Sequence, residues 1–156
     1  MKKLHIVIGD SDTRKSSLIR ALTGAGQGQS RKDLEVEKAN GTISTIHVMQ
    51  SALQENYKPQ LPQQYINFVN QHSTDEFLFS LRVTNVVANG VTYPDAIDYI
   101  HQFKQAGFSI ASVALLGHSA NKLNLSQCGN VVQQPQSHGT PTNKTASQVR
   151  QTWGWV

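Results

Sequence analysis

The chain has 156 residues, a formal net charge of +4 and charged side chains at 15% of positions, which suits one domain around a single core with a surface polar mainly through neutral groups. Cys128 is the only cysteine, so an intramolecular disulfide framework is excluded and a reducing cytosol fits. No run approaches the roughly 20 apolar residues of a membrane span, and the apolar run after Lys2 and Lys3 is shorter than the roughly 7–15 residues of a secretory h-region, so the expectation is a soluble, cytoplasmic protein with no membrane partner.

Residues 4–8 form a β-branched run bounded by Gly9, the pattern of a buried strand. Leu18, Ile19 and Leu22 then recur at helical spacing from Ser16, and Thr23-Gly24 supplies a stop. Residues 25–40, with Gly26, Gly28 and mixed charges, read as an exposed loop. Residues 42–49 alternate as a strand, and Pro62 opens a helix with Leu61, Tyr65, Phe68 and Val69 on one face. Residues 77–83 are a third strand. Thr92 is expected to cap a helix that begins near Pro94, buries Ile97, Ile100 and Phe103 and ends at Gly107. Residues 108–116 are almost continuously apolar, as in a parallel strand covered on both faces. This alternation predicts an α/β fold: an open, mainly parallel sheet with flanking helices.

Beyond Ser119 the composition turns to Gln, Asn, Ser, Thr, Pro and Gly. The expected organisation is an α/β domain over residues 1–120 and a polar, basic, low-complexity and partly disordered C-terminal segment over residues 121–156. No carboxylate follows Asp98, while Lys104, Lys122, Lys144 and Arg150 do, so this third of the chain could attract nucleic acid. Trp153 and Trp155 at its end are costly to leave in water. They read either as a tail folded back on its own domain or as an anchor for a protein partner.

GDSDTRKS, from Gly9 to Ser16, follows the phosphate-binding pattern G-x-x-x-x-G-K-[ST] except that Arg14 replaces the second glycine. It leaves a predicted strand and opens a predicted helix, where backbone amides and the positive helix end face an anion. With Gly9, Lys15, Ser16, Ser17, Leu18 and Ile19 in place, the stretch resembles the P-loop NTPases, especially their small GTPase-like members. The resemblance implies binding of ATP or GTP with Mg2+: Lys15 on the β- and γ-phosphates, the Ser16 hydroxyl as a metal ligand, and the amides of Ser11, Asp12, Thr13, Arg14, Lys15, Ser16 and Ser17 around the phosphates. Arg14 must then point outward or contact the nucleotide, and Asp10 and Asp12 add negative charge beside the anion. No D-x-x-G stands in the sequence and no predicted strand ends in a magnesium-binding Asp, so hydrolysis is expected to be weak, partner-dependent or absent. Asn121-Lys-Leu-Asn124 resembles the guanine-reading N-K-x-D, but Asn124 lacks the carboxylate that accepts from the base.

A competing reading takes GDSDT as similar to the nucleophile block of the GDSL esterases, with Ser11 as nucleophile and Asp98 and His101 as a D-x-x-H block, although no G-x-N-D lies between them. Leu116-Gly-His-Ser-Ala-Asn121 is similar to the G-x-S-x-G elbow of α/β-hydrolases, yet no Asp or Glu follows Ser119 to complete a triad. The simplest account of Gly117-His118-Ser119 is a turn leaving a strand, with His118 near a nucleotide. His5 and His47 fall in predicted strands and His72 and His138 stand isolated, so the histidines are expected to form no metal set.

Overall fold

Leu4, Ile6 and Ile8 of β1 (Lys3–Gly9) turn to one face of a sheet and His5 and Val7 to the other, and all five are buried. A strand apolar on both faces needs cover on both. The computed structural model, which describes residues 1–26, 31–55 and 58–156, supplies it with α1 (Lys15–Thr23), β2 (Arg31–Glu37), β3 (Ile43–Ala52), α2 (Pro62–Gln71), β4 (Glu76–Leu81), β5 (Val86–Ala88), β6 (Val91–Tyr93), α3 (Ala96–Gln105), β7 (Ser109–Leu116), α4 (Gly117–Ala120), β8 (Asn130–Gln134) and α5 (Thr142–Trp153). The main sheet has the order β2-β3-β4-β1-β7-β8, with β2 antiparallel to β3 and the other neighbours parallel.

On one face Tyr65, Ile66 and Val69 of α2 and Tyr99, Ile100 and Phe103 of α3 pack against Ile6, Phe77, Phe79 and Leu115. On the other, Leu18, Ile19 and Leu22 of α1 and Ala146, Val149 and Trp153 of α5 cover Val7, Leu78 and Ala114. The chain therefore leaves β1 onto the α1 face and leaves its neighbour β4 onto the α3 face. Adjacent parallel strands that depart to opposite faces open a crevice beyond their carboxyl ends, where open α/β sheets hold ligands.

Four expectations need correcting. The stretch read as an exposed loop over residues 25–40 contains β2, whose charged side chains suit an edge strand and whose Val36 alone is fully buried; the part of it over residues 27–30 lies outside the described residues. The segment over residues 121–156 is not an appended polar tail. Asn130–Gln134 extends the sheet beside β7, and α5 buries Thr145, Ala146, Val149 and Trp153 against it. Helix α3 is capped by Asp95, whose side chain accepts from the Asp98 amide, whereas Thr92 belongs to β6. Ile97, expected inside, is 39% exposed. The β5–β6 hairpin turns at Asn89 and Gly90, both at positive φ, as an Asn-Gly turn requires.

The terminal tryptophans fold back on the domain. Trp153 donates from Nε1 to Val113 O at 3.2 Å, its ring centroid lies 5.1 Å from that of Trp155, and both rings pack on His5. With Trp153 5% and Trp155 4% exposed, these rings serve the chain's own core.

Candidate functional site

The segment after Gly9 crosses the carboxyl end of the sheet and enters α1. Asp12 has φ 64° and Arg14 φ 70° with ψ 35°, the left-handed region that costs a non-glycine residue roughly 1–2 kcal/mol. Those conformations reverse the chain twice and curl it around the start of the helix. Gly9 is required by the curl: a Cβ on it would lie 2.3 Å from Thr13 Oγ1 and 3.0 Å from Leu116 O. Gly117, at φ 84°, closes the other side, where a Cβ would stand 2.8 Å from Thr13 Cγ2. Thr13 is thus wedged between two glycines, its hydroxyl donating to Asp10 O at 2.7 Å and its carbonyl accepting from Ser137 Oγ at 3.0 Å.

Arg14 turns its guanidinium outward, donating from Nη1 to Thr140 O at 3.1 Å. Lys15 turns inward. Only 8% exposed, its Nζ donates to Asp10 O at 2.9 Å and lies 3.9 Å from Glu55 Oε1. Burial pulls the ammonium below the usual lysine range, and the Glu55 carboxylate opposes that shift. The Ser16 hydroxyl donates to Gln50 O at 3.0 Å, which docks the helix start on the end of β3. Among the described residues, no group accepts a hydrogen bond from the amides of Arg14, Lys15, Ser16 or Ser17, so these donors and the positive helix end converge with a buried cation.

A cleft of about 390 Å3 opens here, lined by Ser11, Asp12, Arg14, Lys15, Ser16, Ser51, Ala52 and Glu55. Sequence reasoning missed its far wall. Glu55 follows β3 and pairs with Arg82 beyond β4, Nη1 to Oε2 at 3.4 Å, while buried Gln54 accepts from Arg82 N and donates to Arg82 O and Pro94 O. The available signal was position: Gln54, Glu55 and Arg82 are polar residues just past the carboxyl ends of apolar strands.

No family model matches the chain, and no curated protein or solved structure matches it. The site is therefore read from its own geometry.

The remaining sequence candidates lie elsewhere or are engaged structurally. Asp98 and His101 bond within α3, to Gln102 and Gln105, and no hydrogen bond joins either to Ser11 among the described residues. His118 and Ser119 are exposed on α4. Asn121 donates from Nδ2 to Leu115 O and Gly117 O, which fixes the turn after β7. Of the C-terminal cations, Lys104 and Arg150 donate to the carbonyls of Gln127 and Ala21. No helix among the described residues is long and apolar enough to cross a membrane.

One expectation about the histidines is overturned. His72 is not isolated: it meets His47 and Asp33, the ligand atoms of all three lying within 4.8 Å of one another.

Proposed function

We propose that the chain binds a nucleoside di- or triphosphate, ATP or GTP, through the loop over residues 9–17. The observation that carries this reading is the convergence, at the switch point of an open α/β sheet, of a buried lysine ammonium with the acceptor-free amides of Arg14 to Ser17. Phosphate oxygens satisfy both at once. Arg14 does not fill the cleft floor, because its side chain leaves toward Thr140. The departure from the glycine of the usual pattern thus adds backbone strain and leaves room for the anion.

An accompanying Mg2+ would be held at the Ser16 hydroxyl, with Asp12 and Glu55 lining the same cleft. Asp10 Oδ1, buried with no donor among the described residues, fits a nearby positive charge. When bound, the ion neutralises phosphate oxygens. Glu55 is already engaged by Arg82 and faces Lys15, leaving it poorly placed as a base, so turnover is expected to be slow, partner-dependent or absent.

Isothermal titration of the full chain with Mg-ATP and Mg-GTP tests the reading. Saturable binding is expected, and Lys15→Met should abolish it while leaving the urea midpoint unchanged or raised, since the variant no longer buries an ammonium. Absence of heat with both nucleotides overturns the proposal, as does binding that survives Lys15→Met.

A further inference from the structure

At the opposite end of the sheet from the cleft, β2 pairs antiparallel with β3 so that Asp33 stands directly across from His47. The C-cap of α2 brings His72 to the same point. His47 Nδ1 lies 2.7 Å and His72 Nε2 3.1 Å from the same oxygen, Asp33 Oδ1. The ring centroids of the two histidines are 4.6 Å apart, and Phe68 and Phe77 flank them.

We propose that Asp33, His47 and His72 form a binding site for a divalent transition-metal ion of the zinc type, independent of the nucleotide cleft. Two imidazole nitrogens and a carboxylate oxygen are the donor set that borderline divalent ions select over magnesium or calcium. Bond lengths of about 2.0–2.2 Å place tetrahedral ligand atoms about 3.3 Å from one another. The observed separations of 2.7 and 3.1 Å would open by about 0.6 and about 0.2 Å, and all three donor atoms already lie within 4.8 Å of one another.

His47 is 6% exposed and packs on Phe68 and Phe77, which holds its ring with Nδ1 toward Asp33. Metal at the shared point converts two histidines aimed at one oxygen into ligands. Asp33 is partly exposed and borders an open depression that includes Ser73 and Thr74, so solvent can complete the coordination shell. The ion would tie edge strand β2 and helix α2 to β3.

Equilibrium dialysis of tag-free full-length protein against Zn2+ tests this, followed by Co2+ substitution read by visible absorption. One equivalent of Zn2+ per chain is expected, with the intensified d–d band of a four-coordinate N/O site on Co2+ loading. His72→Ala and Asp33→Asn, both at partly exposed positions and checked for native circular dichroism, should each weaken Zn2+ at least about tenfold. Zn2+ should also raise the thermal midpoint of the parent chain and leave that of His72→Ala unmoved. Substoichiometric binding, or stoichiometric binding unchanged in both variants, overturns the site and leaves a hydrogen-bonded cluster. Nucleotide titration of the same variants should be unaffected, which separates this result from the fate of the phosphate-loop reading.

Discussion

Arg14 is the residue at which the phosphate-loop reading is most exposed, and exchanging it for glycine and for alanine separates backbone from side chain. At φ 70° and ψ 35° any Cβ carries a penalty of roughly 1–2 kcal/mol, which glycine escapes. Glycine in turn gives up about 0.4–1 kcal/mol through the freedom it adds to the unfolded chain. Both variants lose the exposed bond from Arg14 Nη1 to Thr140 O, a contribution near the low end of about 0.5–1.5 kcal/mol. Arg14→Gly should therefore be more stable than Arg14→Ala by about 0.5–1 kcal/mol, the reverse of the order at an ordinary helix position.

Urea unfolding reads the difference as a midpoint separation of roughly 0.3–0.5 M at an unchanged slope. An alanine variant as stable as the glycine variant, or more so, refutes the left-handed conformation and with it the geometry of the loop. The same proteins bear on the outward guanidinium. Mg-ATP or Mg-GTP affinity should change by less than about threefold in both, which is under about 0.7 kcal/mol. A tenfold loss in Arg14→Ala would mean that the arginine touches the nucleotide.

Gly9→Ala, whose new Cβ would meet Thr13 Oγ1 at 2.3 Å, should destabilise the fold by about 1–3 kcal/mol. Most of that cost should disappear in a Thr13→Ala background, which a double-mutant cycle measures. Glu76 is held at about 2 because hydrogen bonds from His5 and Lys38 outweigh the upward push of burial. Its folded value lies below the ordinary 4.5, so it contributes stability above that pH that fades as pH falls toward 2. Glu76→Gln should accordingly flatten the acid limb of stability against pH by at most about 3 kcal/mol. Burial keeps His5 below the usual histidine range, so its neutral ring donates to Glu76 and the cation of that pair is Lys38. Trp153→Ala should cost about 3–5 kcal/mol in chemical denaturation, while a loss under about 1 kcal/mol would mean that α5 is not docked.

The parts of the fold that could be read from the sequence are those whose periodicity comes from burial. Strand β1 and strand β7 are apolar on both faces, α1 carries Leu18, Ile19 and Leu22 at helical spacing with Gly24 at its end, and α2 starts at Pro62. Edge and surface elements were illegible for the complementary reason. Strand β2 hydrogen-bonds on one side only and carries Lys32, Asp33, Glu35 and Glu37, so nothing in its composition demands an interior. Helix α5 buries Ala146, Val149 and Trp153 at spacings of three and four, but the intervening Gln, Asn, Thr and Ser residues dilute that signal. The Asn89-Gly90 turn was a readable signal passed over.

Missing β2 also hid the cluster at Asp33. Its members are dispersed along the chain, and no local spacing links them. Asp33 and His47 meet only because an antiparallel register sets them opposite each other, and His72 joins because α2 ends where β4 begins. The loop at Gly9 behaved differently, since its groups are contiguous and the helix start itself brings them together. Contiguity did not extend to Glu55, which lines the cleft from the end of β3, or to Arg82, which pairs with it from beyond β4.

On the proposed reading, affinity and stability would pull against each other at this site. Buried Lys15, left-handed Asp12 and Arg14, and an Asp10 oxygen without a donor each raise the energy of the free chain. A polyanion would relieve the first by adding charge opposite the ammonium, and a divalent ion carried with it would relieve the third. The left-handed backbone at Asp12 and Arg14 would hold the amides in place for such a ligand. On the proposed reading, binding would be built from groups fixed in advance, whereas turnover would require a base or water-positioning group on the far wall, where Glu55 is engaged by Arg82. The two requirements rest on different strand ends, so a chain of this design can retain one without the other.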